Sequence, residues 1–96
     1  ALRVPARLEA ELTLYVWADE AAVRALVDQA VSSWLESGRT KLGVDIVRTQ
    51  LVALLSVYGV YRVHLVAPES DREIDASQWV DWEEIRITIM PERKNG

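Results

Sequence analysis

Few residues in this chain are of types that do chemistry. His64 is the sole histidine and there is no cysteine. His64 lies in VYRVHLVA with no serine or carboxylate motif beside it. A general base needs a partner group within hydrogen-bond reach, so a lone strand histidine reads as structural. Without cysteine, disulfides, thiolate metal sites and thiol nucleophiles are excluded. The run DREID sets Asp71, Glu73 and Asp75 at the alternation of a calcium loop, but the glycine that makes such a loop's sharp turn is absent. A solvated acidic loop is the simpler reading. Gly38, Gly43, Gly59 and Gly96 fall at turns or at the end and form no phosphate-binding loop. The sequence therefore predicts no catalytic residue, no metal, no cofactor and no small-molecule substrate.

Composition narrows the classes further. The chain has 96 residues, half of them hydrophobic and 27% charged, with a formal net charge of -4. That is enough for one small domain with a real core. The mean hydropathy is +0.01 and the pI is near 4.9. A nucleic-acid binder shows a basic face, because phosphate contacts supply most of its affinity; the densest basic stretch here is PERK. No run of about 18 apolar residues is present, so no membrane span is expected.

Hydrophobic periodicity gives five elements. In RLEAELTLYVW, Leu8, Ala10, Leu12, Leu14 and Val16 alternate with Glu9, Glu11, Thr13, Tyr15 and Trp17, a strand with one buried face. In DEAAVRALVDQAVSSWLESG, Asp19 is a good N-cap, and Val23, Leu26, Val27, Ala30, Val31, Trp34 and Leu35 form one helical stripe. Gly38 suits a left-handed cap at its end. Asp45 then caps a second helix expected to run to Tyr58, with Val47, Leu51, Leu54, Leu55 and Tyr58 as its stripe. Ile46, Val52 and Val57 make that helix apolar beyond one face. Gly59 terminates it. The strands Val60–Ala67 and Glu84–Met90 follow, and the tail from 91 to 96 is polar and expected to fray.

The order predicts an α+β domain over residues 1–96, β-α-α-β-β. A three-stranded, largely antiparallel sheet carries an αα-hairpin packed on one face. The second strand is expected to oppose the first, and the third to oppose the second. The other sheet face gathers Glu9, Glu11, Arg62, His64 and Arg86, which reads as a solvated face stitched by charge. Tyr15, Trp17 and Val66 share it. Trp79 and Trp82 lie in DASQWVDW, expected to be the connection ahead of the last strand. Tryptophan is enriched at binding hot spots. Tyr15, Trp17, Val52, Val66, Trp79 and Trp82 are therefore the candidate interface residues.

The order of these motifs resembles a known family. Leu42-Gly43, an apolar helix, YGVYRVHLVAPESDREID and QWVDWEEIRIT together are similar to the C-terminal domain of baseplate J-like proteins. The resemblance rests on Gly59-Val60 opening a strand, Pro68 after it, Asp71 three residues later, Ile74 in the next apolar slot, and Ile85 and Ile87 in the final strand. It covers about Leu14 to Ile89. Arg72 and Glu73 depart from the pattern, as does the Trp79/Trp82 pair. The resemblance implies a non-enzymatic structural part of the baseplate wedge in a contractile phage tail or tail-like machine. It implies partners: copies of the same protein and a neighbouring wedge protein of the tail protein I type. It also implies a place in the virion tail baseplate, reached from the host cytoplasm during assembly. The chain starts at Ala1, which fits the C-terminal segment of a longer wedge protein. A generic small α/β adaptor or oligomerisation domain of another assembly is the alternative on the residues alone.

Overall fold

A computed structural model describes residues 1–39 and 41–96. The elements are β1 (Leu2–Tyr15), α1 (Glu20–Gly38), α2 (Arg48–Leu55), β2 (Val60–Ala67) and β3 (Gln78–Lys94). The predicted order and the α+β class hold. The sheet order is β2-β1-β3, so the first strand is central. It pairs antiparallel with β2 and parallel with β3, and the last two strands run in opposite directions without touching.

The alternation in β1 puts Val4, Leu8, Ala10, Leu12 and Leu14 in the core. Residues Glu9–Leu14 have a strand on each side, whereas Leu2–Leu8 are paired with β3 alone. Pro5 falls within that half-open stretch, where a proline is tolerated, so the strand begins well before Arg7. It also ends earlier than predicted. Val16 and Trp17 are in a turn, and both are about half exposed (52% and 53%).

The first helix buries Val23, Val27 and Val31 against the sheet, with Trp34 and Leu35 packed at the core's margin. Asp19 stands at its N-cap by backbone position, and Val23 N donates to Asp19 O at 3.0 Å, but the Asp19 side chain makes no cap bond. Gly38 is helical and Arg39 follows in a right-handed conformation, so the expected left-handed cap is not there. The second helix is only eight residues long. Its start is delayed because Ile46 forms an isolated antiparallel bridge with Arg72, which keeps Val47 extended. Its end comes at Leu55, where Ser56 leaves the helical region. Tyr58, predicted to lie in the helix stripe, is instead 79% exposed.

Between that helix and β2 the chain turns through Gly59, at φ +98°. A Cβ there would sit 2.8 Å from Val23 Cγ2 and 3.1 Å from Ala18 Cβ. Both the backbone conformation and the close approach of α1 require glycine. The strand β2 has the predicted bounds but an irregular register. Thr13 faces Arg62 while Leu14 faces Val60, leaving Tyr61 as the extra residue of a bulge; Val66 is the extra residue of a second bulge. A bulge re-aims the side chains on either side of it. Val60 accordingly packs on the core, and Tyr61 turns to the neighbouring aromatic rings.

The last strand differs most from expectation. It runs from Gln78 to Lys94 and so takes in Trp79 and Trp82, which were predicted to lie in a loop. It also takes in most of the tail predicted to fray. Arg93 and Lys94 pair with Leu14 and Tyr15, and Val16 N donates to Lys94 O at 2.8 Å. The Arg93 guanidinium donates to the carbonyls of Tyr15 (3.0 Å) and Ala18 (2.8 Å), satisfying the turn between β1 and α1. The helices cover β1 and β2. Over β3, Ile85, Ile87 and Ile89 face the same side as the core but remain half-exposed.

Candidate docking surfaces

The residues that position surface groups do so largely by charge-to-backbone hydrogen bonds. At one end of the sheet, the connection between the helices is tied to the connection between β2 and β3. Asp71 Oδ1 accepts from Arg48 N at 2.8 Å, capping α2 from a distant loop. Asp45, predicted to be that cap, instead accepts from Ile74 N at 2.8 Å. The exchange follows from the Ile46–Arg72 bridge, which leaves Asp45 short of the helix start and brings Asp71 onto it. The Arg48 side chain donates to Leu65 O at 3.1 Å and to Pro68 O. Gly43 N donates to Gln78 O at 2.9 Å, and Gly43 has φ +69° with its Cα side closed by Ala76. The acidic loop residues Asp71 and Asp75 thus sit in a structured connection, and Asp71 spends an oxygen on a helix end. Among the described residues no group of His, Asp or Glu side chains is placed to hold a metal ion.

This same end holds a cleft of about 620 Å³ between the end of α1, the start of α2 and the start of β3. Trp34, Leu54, Trp79 and Trp82 line it. Trp34 and Trp82 meet with ring centroids 4.9 Å apart and planes tilted by 54°. Two of the predicted interface residues are therefore brought together, and the third tryptophan of the set, Trp34, was read as helix stripe. Its position in the last turn of α1 carries it beyond the covered part of the sheet. Leu42 and Val44, near the rim, are each about half exposed.

The opposite end carries an aromatic cluster. Tyr15 and Trp17 stack with centroids 5.1 Å apart and planes within 14°. Tyr61 meets Tyr15 edge-on at 5.5 Å, and Tyr58 meets Trp17 at 5.0 Å. Arg62 lies over the Tyr61 ring at 5.6 Å, a cation–π distance. Tyr15 and Trp17 were singled out from the sequence; Tyr58 and Tyr61 were not. The Ser56 that ends the helix early was the available signal for Tyr58. The bulge that turns Tyr61 has no sequence signature. Val66 is not part of this cluster, because β2 carries it to the other end of the sheet. Val52 packs at the core's margin on α2 and belongs to neither group.

On the polar face of the sheet only part of the expected charge pairing across strands is present: His64 meets Glu11, whereas Arg86 meets Glu84 of its own strand and Arg62 lies over the Tyr61 ring. His64 Nδ1 lies 3.4 Å from Glu11 Oε1, and the two residues are register partners. Arg7–Glu9, Arg86–Glu84 and Lys94–Glu92 lie at 2.9, 3.5 and 3.0 Å. Arg3 bonds Asp81 at 2.7 Å and also Glu83. Hydrogen bonding to Asp81 holds the Arg3 proton more tightly than usual, and the Lys94 hydrogen bond holds the Glu92 carboxyl below its usual range. All of these pairs are solvent-exposed, so each contributes little to stability. No described helix is long and apolar enough to cross a membrane.

The described surface thus carries an aromatic cluster at one end and a tryptophan-lined cleft at the other. The model of the baseplate J-like protein C-terminal domain matches residues 6–88 of the chain. Comparison with curated proteins returns no match. The chain belongs to the baseplate J-like C-terminal domain family, a structural component of phage baseplates that interacts with other baseplate proteins.

Proposed function

We propose, with this family membership as premise, that the chain is a docking module of the baseplate wedge in a contractile phage tail or tail-like machine. It mediates protein–protein assembly and performs no catalysis. Its partners are copies of the same protein and a neighbouring wedge protein of the tail protein I type. It works in the virion tail baseplate after assembly in the host cytoplasm, as the C-terminal segment of a longer wedge protein. The observation that carries the reading is the family match over residues 6–88. The surfaces support it: exposed Trp17, Tyr58 and Tyr61 at one end of the sheet and partly buried tryptophans lining a cleft at the other are residues of the kind that dominate interface energetics.

The test is co-purification. The chain is expressed beside the open reading frames adjacent to its gene, and the products are weighed by light scattering. A defined complex with a neighbouring tail protein is expected. Trp82→Ala and Trp17→Ala should each weaken it by about 2 kcal/mol if the residue is an anchor, with the melting transition little changed for the exposed Trp17 and lowered less than binding for Trp82, which also packs on the core. A chain that ignores every neighbouring protein sinks the assembly reading.

A further inference from the structure

The outer side of β3 is a long strand edge with no partner. The β3–β1 ladder uses the backbone groups on one side of the strand. Among the described elements, none pairs with the other side between Glu84 and Met90. An exposed edge of that kind is a template for another strand. Its irregularities lie outside the central stretch. Glu83 is an extra residue between Trp82 and Glu84, and the register breaks again between Ile89 and Arg93. The run from Glu84 to Ile89 is straight, with Ile85, Ile87 and Ile89 half-exposed on one side and Glu84, Arg86 and Thr88 exposed on the other.

We propose that this edge pairs antiparallel with β3 of a second copy of the chain, about a two-fold axis at Ile87, giving a continuous six-stranded sheet. Charge selects the orientation. Asp81, Glu83 and Glu84 lie in the first half of the strand, and Arg93 and Lys94 at its end, with Glu92 the one acid there. Antiparallel pairing sets each acidic half toward the partner's basic end. Charge and length also select the register. An axis at Arg86 faces two guanidiniums against each other. An axis at Ile85 pairs little of the straight run before reaching the Glu83 bulge. An axis at Ile87 sets Ile87 on Ile87 and Ile85 on Ile89, and places Arg86 opposite Thr88. The half-exposed isoleucines then form one apolar ladder across both copies. A two-fold contact also closes on itself, whereas pairing β3 with the β2 edge of another copy leaves free edges that grow a fibre.

This deepens the assembly role proposed above and rests on it only in expecting copies to meet. Velocity sedimentation of the 96-residue chain across a concentration series is the test. A reversible dimer is expected, with a Kd on the order of 10 μM for so small an interface. Thr88→Arg places an arginine opposite the partner's Arg86 twice, while inside the chain it faces Glu11 and so does not harm the fold. It should weaken the dimer roughly tenfold or more. Adding Arg86→Glu to Thr88→Arg should restore it, by setting each new arginine opposite the partner's new carboxylate at position 86. A chain that stays monomeric at every concentration, or a Thr88→Arg variant that dimerises unchanged, overturns the proposal. A monomer that still binds a neighbouring baseplate protein overturns this edge alone and leaves the assembly role standing.

Discussion

The two flanks of the central strand are held in different ways. On the β2 side, α2 packs over the strand, and Leu55, Leu65 and Ala67 are buried. On the β3 side α1 reaches the strand through Trp34 against Trp82, the isoleucines are only partly buried, and exposed ion pairs accompany the ladder. Apolar burial contributes far more than surface pairing: about 25 cal/mol per Å² buried against at most about 1 kcal/mol for each exposed pair. Stability is therefore concentrated on one flank. The other is left with its apolar side chains and backbone groups incompletely used.

That contrast can be broken first at its strongest point. Leu55→Ala should cost about 2–5 kcal/mol in urea unfolding, as a fully buried leucine does, whereas Ile87→Ala should cost about 1 kcal/mol because its site is already half open to water. Equal losses at the two positions would erase the distinction between the flanks. Gly59→Ala comes next. It combines a positive φ with a contact at 2.8 Å from Val23, and a loss of about 2–3 kcal/mol is expected. A melt unchanged from the parent would mean that α1 is free to shift away from the turn. Asp71→Ala removes the cap of α2 and should cost about 1 kcal/mol, with faster amide exchange in the first turn of that helix. Asp45→Ala should leave those amides alone and instead loosen Ile74.

The smallest effect lies on the β3 flank. Glu92 is held below the ordinary glutamate value of 4.5 by Lys94. A depressed carboxyl stabilises the fold above its unfolded pKa, and that contribution is lost as pH falls through the folded value. Glu92→Gln should therefore differ slightly from the parent at neutral pH and low salt. The two should converge in acid below pH 4.5. A difference that persists in acid would assign Glu92 a role other than its pairing with Lys94.

Much of this architecture could be read from spacing. The alternation of Leu8 to Leu14 and the stripe Val23, Val27, Val31 follow directly from side-chain period, because burial on one face leaves a pattern in the residues themselves. The order of elements and the direction of β2 followed from the short connections. What escaped was set by partners far away in the chain. The short α2 depends on the Ile46–Arg72 bridge, and the choice of Asp71 over Asp45 as cap depends on where that bridge places each carboxylate. The full length of β3 depends on β1 running beside it from Leu2, opposite Gln78, to Tyr15, opposite Lys94, so QWVDW read as a loop and PERK as a loose tail when taken alone. For the candidate surfaces, the types of residue were legible and their grouping was not. Tyr15 with Trp17 and Trp79 with Trp82 were visible as pairs, but Trp34, Tyr58 and Tyr61 joined them only through a helix end, an early helix stop and a bulge.

The parallel pairing of the first and last strands has a mechanical consequence. β1 begins at the end of the sheet where Leu2 pairs with Gln78, and β3 finishes at the other end, where Lys94 pairs with Tyr15. Tension applied between Leu2 and Lys94 thus acts along the ladder, and its evenly spaced bonds are strained together in shear. They cannot be unzipped one at a time from a free end. Loaded that way, the domain yields late and all at once.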